Sequence, residues 1–241
     1  MTHQLRLQQL AKLLDITRLQ DDDTLDAFSE WVSCVPVISA AAYCVYPQFL
    51  RPLQKHQDFQ RQMALATVVN FPDGDLPSDI VCEQIHYALA QGATEIDCVL
   101  PYKALLRGEH GLVKSFLYDV RQATGENCLK IIIESGELVT AQQVAKASEL
   151  AIEGGADFVK TSTGKVPVGV TEEAAKIILT VIAAADRAVG FKASGGVRTV
   201  EQALFLLELY ESITGKLALN SGLRIGASAL SLELYKQLSH Q

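Results

Sequence analysis

Lys160 and Lys192 each close a short run that reads as a buried β-strand, in ADFVKTSTGK (156–165) and VGFKASGGVRT (189–199). Lysine is almost never fully buried without a partner, because stripping water from an ammonium is expensive. Taken singly, each is a surface lysine at a loop mouth, the ordinary place for this residue type. Two in the same context point instead to an amine that does chemistry. Each is also followed by a glycine-rich, hydroxyl-containing turn, whose backbone N–H groups suit an anion such as phosphate.

A third group belongs with them. An Asp that ends a strand usually caps a helix or opens a turn, but Asp97 lies inside TEIDCVL with apolar neighbours on both sides. A buried carboxylate wants a cationic partner, and the two lysines are the candidates. A catalytic amine must be neutral at working pH, which means moving a lysine from ~10.4 to about 7–8, roughly 4 kcal/mol. A second ammonium about 5 Å away at an effective dielectric near 20 supplies roughly 3 kcal/mol of that, and desolvation supplies the remainder. Carboxylates oppose the shift, so an Asp must pair mainly with one lysine and leave the other to the repulsion.

Three turns could hold phosphate: TSTGK (161–165), ASGG (193–196) and GASAL (226–230), the last opening a helix whose positive end favours an anion. The cysteines Cys82, Cys98 and Cys128 read as small core hydrophobes, and for Cys44, in AAYCVYP, packing outweighs reactivity. His3, His56, His86, His110 and His240 fall at termini, in loops or on polar helix faces, without zinc-ligand or triad spacing.

Eight short β-rich runs must carry these residues: near 12–16, 42–46, 64–70, 94–99, 129–134, 157–161, 189–193 and 222–226. Most, such as LKIIIE (129–134) and LATVVN (65–70), are continuously apolar, the mark of parallel strands covered by helices. Between them lie amphipathic stretches, for example Val144, Ala147, Ser148, Ala151 and Ile152, and Ala174, Ile177, Ile178, Val181, Ile182 and Ala185. Thr140 with Gln143 and Thr199 with Gln202 have capping-box spacing, and Ser78 is placed to cap a helix running to about Gly92. ALAQGATEIDCVLP (88–101) and LAIEGGADFVKTST (150–163) read as copies of one αβ unit. Eight such units fit an α/β fold of the (β/α)8 barrel type, one domain over residues 1–241. A doubly wound open sheet is the alternative, but it needs a glycine-rich switch-point motif after the first strand, which is missing. In a barrel, polar residues at strand C-terminal ends face one mouth, here Asp15, Cys44, Asn70, Asp97, Glu134, Lys160, Lys192 and Ser228.

Composition agrees with this class. The chain has 241 residues, 49% of them hydrophobic, enough for one substantial core. A net charge of −7 argues against a nucleic-acid or anionic-membrane surface. Five scattered cysteines without a C-x-x-C pair suggest neither a disulfide framework nor a zinc site. The N-terminus lacks a signal-peptide core, and no apolar run approaches the roughly 18 residues of a membrane span. A soluble protein in a reducing cytoplasm is the expectation.

At these motifs the sequence resembles class I 2-deoxy-D-ribose-5-phosphate aldolase, from about Leu14 to Leu230. The elements that carry the likeness are VKTSTGK (159–165), FKASGGVRT (191–199), EIDCVLPY (95–102), CVYP (44–47), LLDITRL (13–19) and LKIIIESGEL (129–138). The resemblance implies a (β/α)8 barrel that reversibly cleaves 2-deoxyribose 5-phosphate to acetaldehyde and glyceraldehyde 3-phosphate, with no metal and no cofactor. It makes Lys160 the Schiff-base lysine, Lys192 the lysine that lowers its pKa, Asp97 an acid/base acting through water, and Asp15 the residue holding Lys192. Gly164, Lys165, Gly195, Gly196 and Ser228 would surround the phosphate, and Thr17, Cys44 and Asn70 join the implied substrate contacts. The implied partner is a small phosphosugar, with a homodimer left open.

Three departures stand out. Ala193-Ser194-Gly195-Gly196 replaces the Pro-Ala-Gly-Gly common in that family, and Ala229 follows Ser228 where some members have a second serine. The chain ends at Gln241 without the tail tyrosine of some relatives, which predicts that enamine protonation relies on water held by Asp97 and Lys192. Rival readings are another Schiff-base aldolase or transaldolase, and a sugar-phosphate-binding regulator without turnover. Phosphate binding alone does not need both lysines and both aspartates.

Overall fold

The computed structural model describes residues 2–239, so His240 and Gln241, including the expectation about the chain end, lie outside the described residues. Eight parallel strands close into a barrel in sequence order. They are β1 (Leu14–Arg18), β2 (Ala42–Val45), β3 (Ala64–Val69), β4 (Glu95–Val99), β5 (Cys128–Ile132), β6 (Phe158–Lys160), β7 (Gly190–Ser194) and β8 (Leu223–Ala227). The barrel seam is the β1–β8 pairing, with Asp15 opposite Gly226. Every position of β2, β4 and β7 is buried, which is why these strands read as unbroken runs rather than alternating ones.

The helices form the outer ring. In chain order they are α1 (His3–Ala11), α2 (Leu25–Cys34), α3 (Leu50–Lys55), α4 (Ser78–Ala90), α5 (Tyr102–Leu106), α6 (His110–Thr124), α7 (Ala141–Glu153), α8 (Glu172–Ala183), α9 (Val200–Thr214) and α10 (Leu230–Ser239). Their apolar stripes, such as Val113, Leu117 and Val120 of α6 and Ala175, Ile178 and Leu179 of α8, pack on outward-facing strand residues such as Ile131 and Phe191. Each of the Val, Leu, Ile and Phe side chains among these contributes about 1.5–3 kcal/mol on burial. Both expected capping boxes form, on α7 and α9. Ser78 does not cap α4: it is the first helical residue, the cap position is Pro77, and the Ser78 hydroxyl donates to Asp119 at 2.7 Å.

The two similar sequence segments have one geometry. α4 and α7 each end in a positive-φ glycine, Gly92 (φ 96°) and Gly155 (φ 88°). The buried alanine that follows, Ala93 or Ala156, donates its N–H back to Ala88 or Ala151. The identical helix stop explains the shared Gly-Ala signature.

One expectation changes. Asp15, Asp97 and Lys192 are not at strand ends: they are the second residue of β1 and the middle residues of β4 and β7. Only Lys160 ends its strand. Asp15, Asp97 and Lys192 therefore sit inside the barrel below the mouth, where branched apolar layers are the usual filling.

Candidate active site

The barrel interior holds one continuous ionic network. Lys160 Nζ donates to Asp97 Oδ2 at 2.8 Å and Lys192 Nζ to the same oxygen at 2.7 Å. Lys192 Nζ also donates to Asp15 Oδ2 at 2.5 Å. Asp97 Oδ1 accepts from Lys130 Nζ at 2.8 Å, and Lys130 Nζ lies 2.6 Å from Glu95 Oε2. Arg224 closes the circuit, donating to Asp15 Oδ1 at 2.7 Å and to Glu95 Oε1 at 2.8 Å. Alternation along the strands puts Glu95 and Asp97 on one face of β4, and the register sets Asp97 beside Lys130 and Lys160 beside Lys192.

All seven groups are at least nine-tenths buried. In such a place ions persist only when paired, since desolvating each costs several kcal/mol. The carboxylates Asp15, Glu95 and Asp97 can balance Lys130, Lys192 and Arg224. Lys160 is the surplus base, with a single carboxylate contact, and that one shared with two other lysines.

The proton affinities follow this imbalance. Burial pushes the Lys160 ammonium down, Asp97 pulls it up and Lys192 pushes it down again, and the amine ends below its ordinary value. Burial acts on Lys130 and Lys192 too, but their carboxylates more than reverse it, and both finish above the usual lysine range. Asp15 and Asp97, though buried, are held below the ordinary carboxylate range by the surrounding cations. The neighbouring ammonium is therefore the lesser lowering influence on Lys160 and desolvation the greater, the reverse of the division expected from the sequence. Asp97 also pairs with both lysines rather than mainly one; the asymmetry comes from Asp15, which only Lys192 engages.

Lys130, Glu95 and Arg224 were missed in the sequence. Lys130 and Arg224 carry the signal of one charge inside an apolar strand, as in CLKII and LRIGA, whereas Glu95 opens β4 and shares that strand with Asp97. Glu134 lies in the mouth at the end of β5, outside the network. Its backbone is left-handed (φ 49°) and its carboxylate accepts the Thr163 hydroxyl at 2.5 Å. Burial pushes its carboxyl up.

The remaining expected residues divide. Cys44 Sγ is 3.9 Å from Asp97 Oδ2, and burial raises its thiol. Thr17 lines the top of β1 and gives its hydroxyl to the Asp15 carbonyl. Asn70 is diverted: its amide donates to the Val99 carbonyl and accepts from Leu76 N–H, which shapes the loop after β3 rather than leaving both groups for a ligand. Gly164, Gly195 and Gly196 are left-handed (φ 81°, 80° and 97°), so the turns need glycine. Gly164 and Gly195 approach closely, and Gly169, missed in the sequence, allows that loop to touch Gly195. Lys165 extends over this rim and is bound at 2.9 Å by both oxygens of Asp21, whose Oδ1 also accepts the Tyr46 hydroxyl at 2.6 Å. Ser228 is exposed at the third turn.

Among the described residues no group of three or more His, Cys, Asp or Glu side chains is placed to hold a metal, and no helix is long and apolar enough to cross a membrane.

Residues 10–231 match the profile of the DeoC/LacD family of aldolases. Among solved structures, a protein of Coccidioides immitis assigned as a deoxyribose-phosphate aldolase superposes with a TM-score of 0.83 at 26% identity, over 96% of this chain and 86% of the other. A Toxoplasma gondii protein with the same assignment superposes with a TM-score of 0.89 at 23% identity, over 99% and 97%. The tetrameric deoxyribose phosphate aldolase of Aeropyrum pernix gives 0.75 at 21%, over 100% and 99%. At 21% and 23% the likeness speaks to the fold.

Proposed function

Because the chain belongs to the DeoC/LacD family of aldolases, we propose that it is a class I aldolase that cleaves 2-deoxy-D-ribose 5-phosphate to acetaldehyde and glyceraldehyde 3-phosphate, with Lys160 as the Schiff-base residue. The observation that carries this reading is the surplus of one base in a buried network, at the one lysine whose proton is loosened. A neutral amine at the top of the barrel is what attack on an aldehyde needs.

Neutral Lys160 Nζ adds to C1 of the open-chain sugar, and loss of water gives the iminium. A water linked to Asp97 takes the proton of the C3 hydroxyl. The C2–C3 bond then breaks, its electrons pass into the iminium to form an enamine, and C3 leaves as the aldehyde carbon of glyceraldehyde 3-phosphate. Protonation of the enamine carbon and hydrolysis release acetaldehyde and restore Lys160. The iminium is the electron sink, so the reading uses no metal and no cofactor.

Lys192, Lys130 and Arg224 keep Asp97 and Asp15 ionised and fixed. Asp97 meanwhile gives the iminium cation a counter-charge in a low-dielectric interior. The turns at Gly164, Gly195 and Gly196, with Lys165 and Ser228, hold the phosphate at the rim, and residues 1–241 act as one domain.

Borohydride reduction in the presence of acetaldehyde, followed by peptide mass mapping, tests the assignment. A stable two-carbon adduct on Lys160 is expected. An adduct on another lysine, or none, would overturn it.

A further inference from the structure

The two glycine turns after β6 and β7 are stitched together by one side chain. Ser194 ends β7, two residues beyond Lys192. Its hydroxyl donates to the Ser162 carbonyl at 2.5 Å. Its N–H donates to Thr161 Oγ1 at 3.0 Å, and the Thr161 hydroxyl donates back to the Ser194 carbonyl at 2.9 Å. All three residues are buried, with Thr161 and Ser162 fully so. The Thr161 bonds tie strand end to strand end, whereas the Ser194 hydroxyl alone reaches into the loop that leads to Gly164.

Ser194 also sets the spacing to the third turn. It is the register partner of Gly226 in β8, and a Cβ at Gly226 would lie 3.1 Å from the Ser194 Cβ. The side chain thus reaches the turn after β6 and lies against Gly226 near the end of β8, while its own backbone begins the turn after β7.

The seam it pins has a feature that points to a ligand. Ser162 Oγ is fully buried and has no hydrogen-bond partner within the protein. A Cβ at Gly195 would lie 3.1 Å from the Ser162 Cβ and 3.5 Å from the Gly164 Cα, so this hydroxyl sits at the junction of the two left-handed glycines. A buried hydroxyl left unpaired costs free energy, and such groups in folded proteins call for an occupant.

We propose that Ser194 is a positioning residue for the substrate phosphate, holding the Ser162–Gly164 and Gly195–Gly196 turns at the separation that lets both serve one dianion. This rests on the aldolase reading above. Without the Ser194 hydroxyl the Ser162 carbonyl loses its donor, and the turn keeps its bonds from Thr163 to Glu134 but loses the one that draws it toward Gly195. In that turn the Thr163 and Lys165 N–H groups already donate to Glu134 and to the Thr163 hydroxyl, so it is the Gly164 N–H that must stay beside the Gly195–Gly196 turn, and its displacement falls on the phosphate rather than on the aldehyde end of the substrate.

The test is Ser194→Ala, with Ser162→Ala as a second variant. The readouts are kcat and KM on 2-deoxyribose 5-phosphate and on 2-deoxyribose, and inhibition by inorganic phosphate. In both variants the preference for the phosphorylated sugar is expected to fall roughly five- to tenfold, with a matching rise in the phosphate inhibition constant, the effect of about one neutral hydrogen bond. Equal losses on both sugars would make Ser194 a general packing residue and overturn the proposal, as would unchanged inhibition by phosphate. Wild-type protein that neither prefers the phosphorylated sugar nor is inhibited by phosphate would instead overturn the phosphosugar reading itself.

Discussion

Lys160 and Lys192 donate to one and the same oxygen, Asp97 Oδ2, at 2.8 and 2.7 Å. They are register partners on adjacent strands, so the sheet itself fixes this sharing. What separates them is Asp15, which binds Lys192 and leaves Lys160 with a third share of a single carboxylate. Two amines a few bonds apart in space thus take opposite proton affinities.

Lys160→Ala and Lys160→Arg should each lower kcat/KM by at least about a thousandfold while circular dichroism shows the fold retained. Arginine keeps the charge but cannot be deprotonated in this role. Substantial turnover by purified Lys160→Arg would remove Lys160 from the chemistry.

Stability should report the charge imbalance. Lys160→Met deletes the surplus base and is expected to change stability by less than about 1 kcal/mol, or to raise it. Lys130→Met leaves Asp97 Oδ1 and Glu95 Oε2 without their shared ammonium and should cost about 3–5 kcal/mol. Urea denaturation of the two variants decides this, and equal losses would show that Lys160 is an integral cation of the network.

Lys192→Leu should move the acidic limb of the kcat/KM profile upward. The active form is the free amine, so the limb follows the Lys160 pKa. The variant removes a repelling ammonium and also a competitor for Asp97 Oδ2, and both changes hold the proton more tightly on Lys160. A limb that stays in place would mean that the two amines are not coupled, and one that shifts downward that Lys192 does not act on Lys160 as a repelling ammonium.

EDTA should leave turnover unchanged, because the iminium on Lys160 withdraws the electrons of the breaking bond. Activity lost on chelation and restored by a divalent cation would place the electron sink elsewhere.

For the phosphate, kcat/KM on 2-deoxyribose should be lower than on its 5-phosphate by at least about a hundredfold, since charge-assisted bonds contribute about 1.5–3 kcal/mol each. Lys165→Met should account for about tenfold of this. The Lys165–Asp21 pair is exposed, and such pairs contribute little, so the ammonium passes to a dianion at small cost. Equal efficiencies on the two sugars would eliminate the phosphate pocket.

Much of this protein is written locally in its sequence. Continuous apolar runs, glycine helix stops at Gly92 and Gly155, and capping boxes at Thr140 and Thr199 are short-range signals, and together they spell eight β/α units. Lys160 and Lys192 were legible because two charges close apolar runs before the same kind of glycine turn, Asp97 because apolar neighbours flank it on both sides, and Asp15 as a polar residue at the end of an apolar run. Which charges meet was not legible. Arg224 reaches Asp15 across 209 positions and Lys130 reaches Asp97 across 33, contacts that exist only because β8 closes onto β1 and neighbouring strands lie in register. Lys130 looked like one polar residue in an apolar run, and its place in the network depends on what faces it. The sequence by itself determined the barrel and the kinds of group inside it. Tertiary structure decided which lysine holds its proton least, because burial and the distances to Asp15 and Asp97 set that affinity, and neither is a property of any one segment of chain.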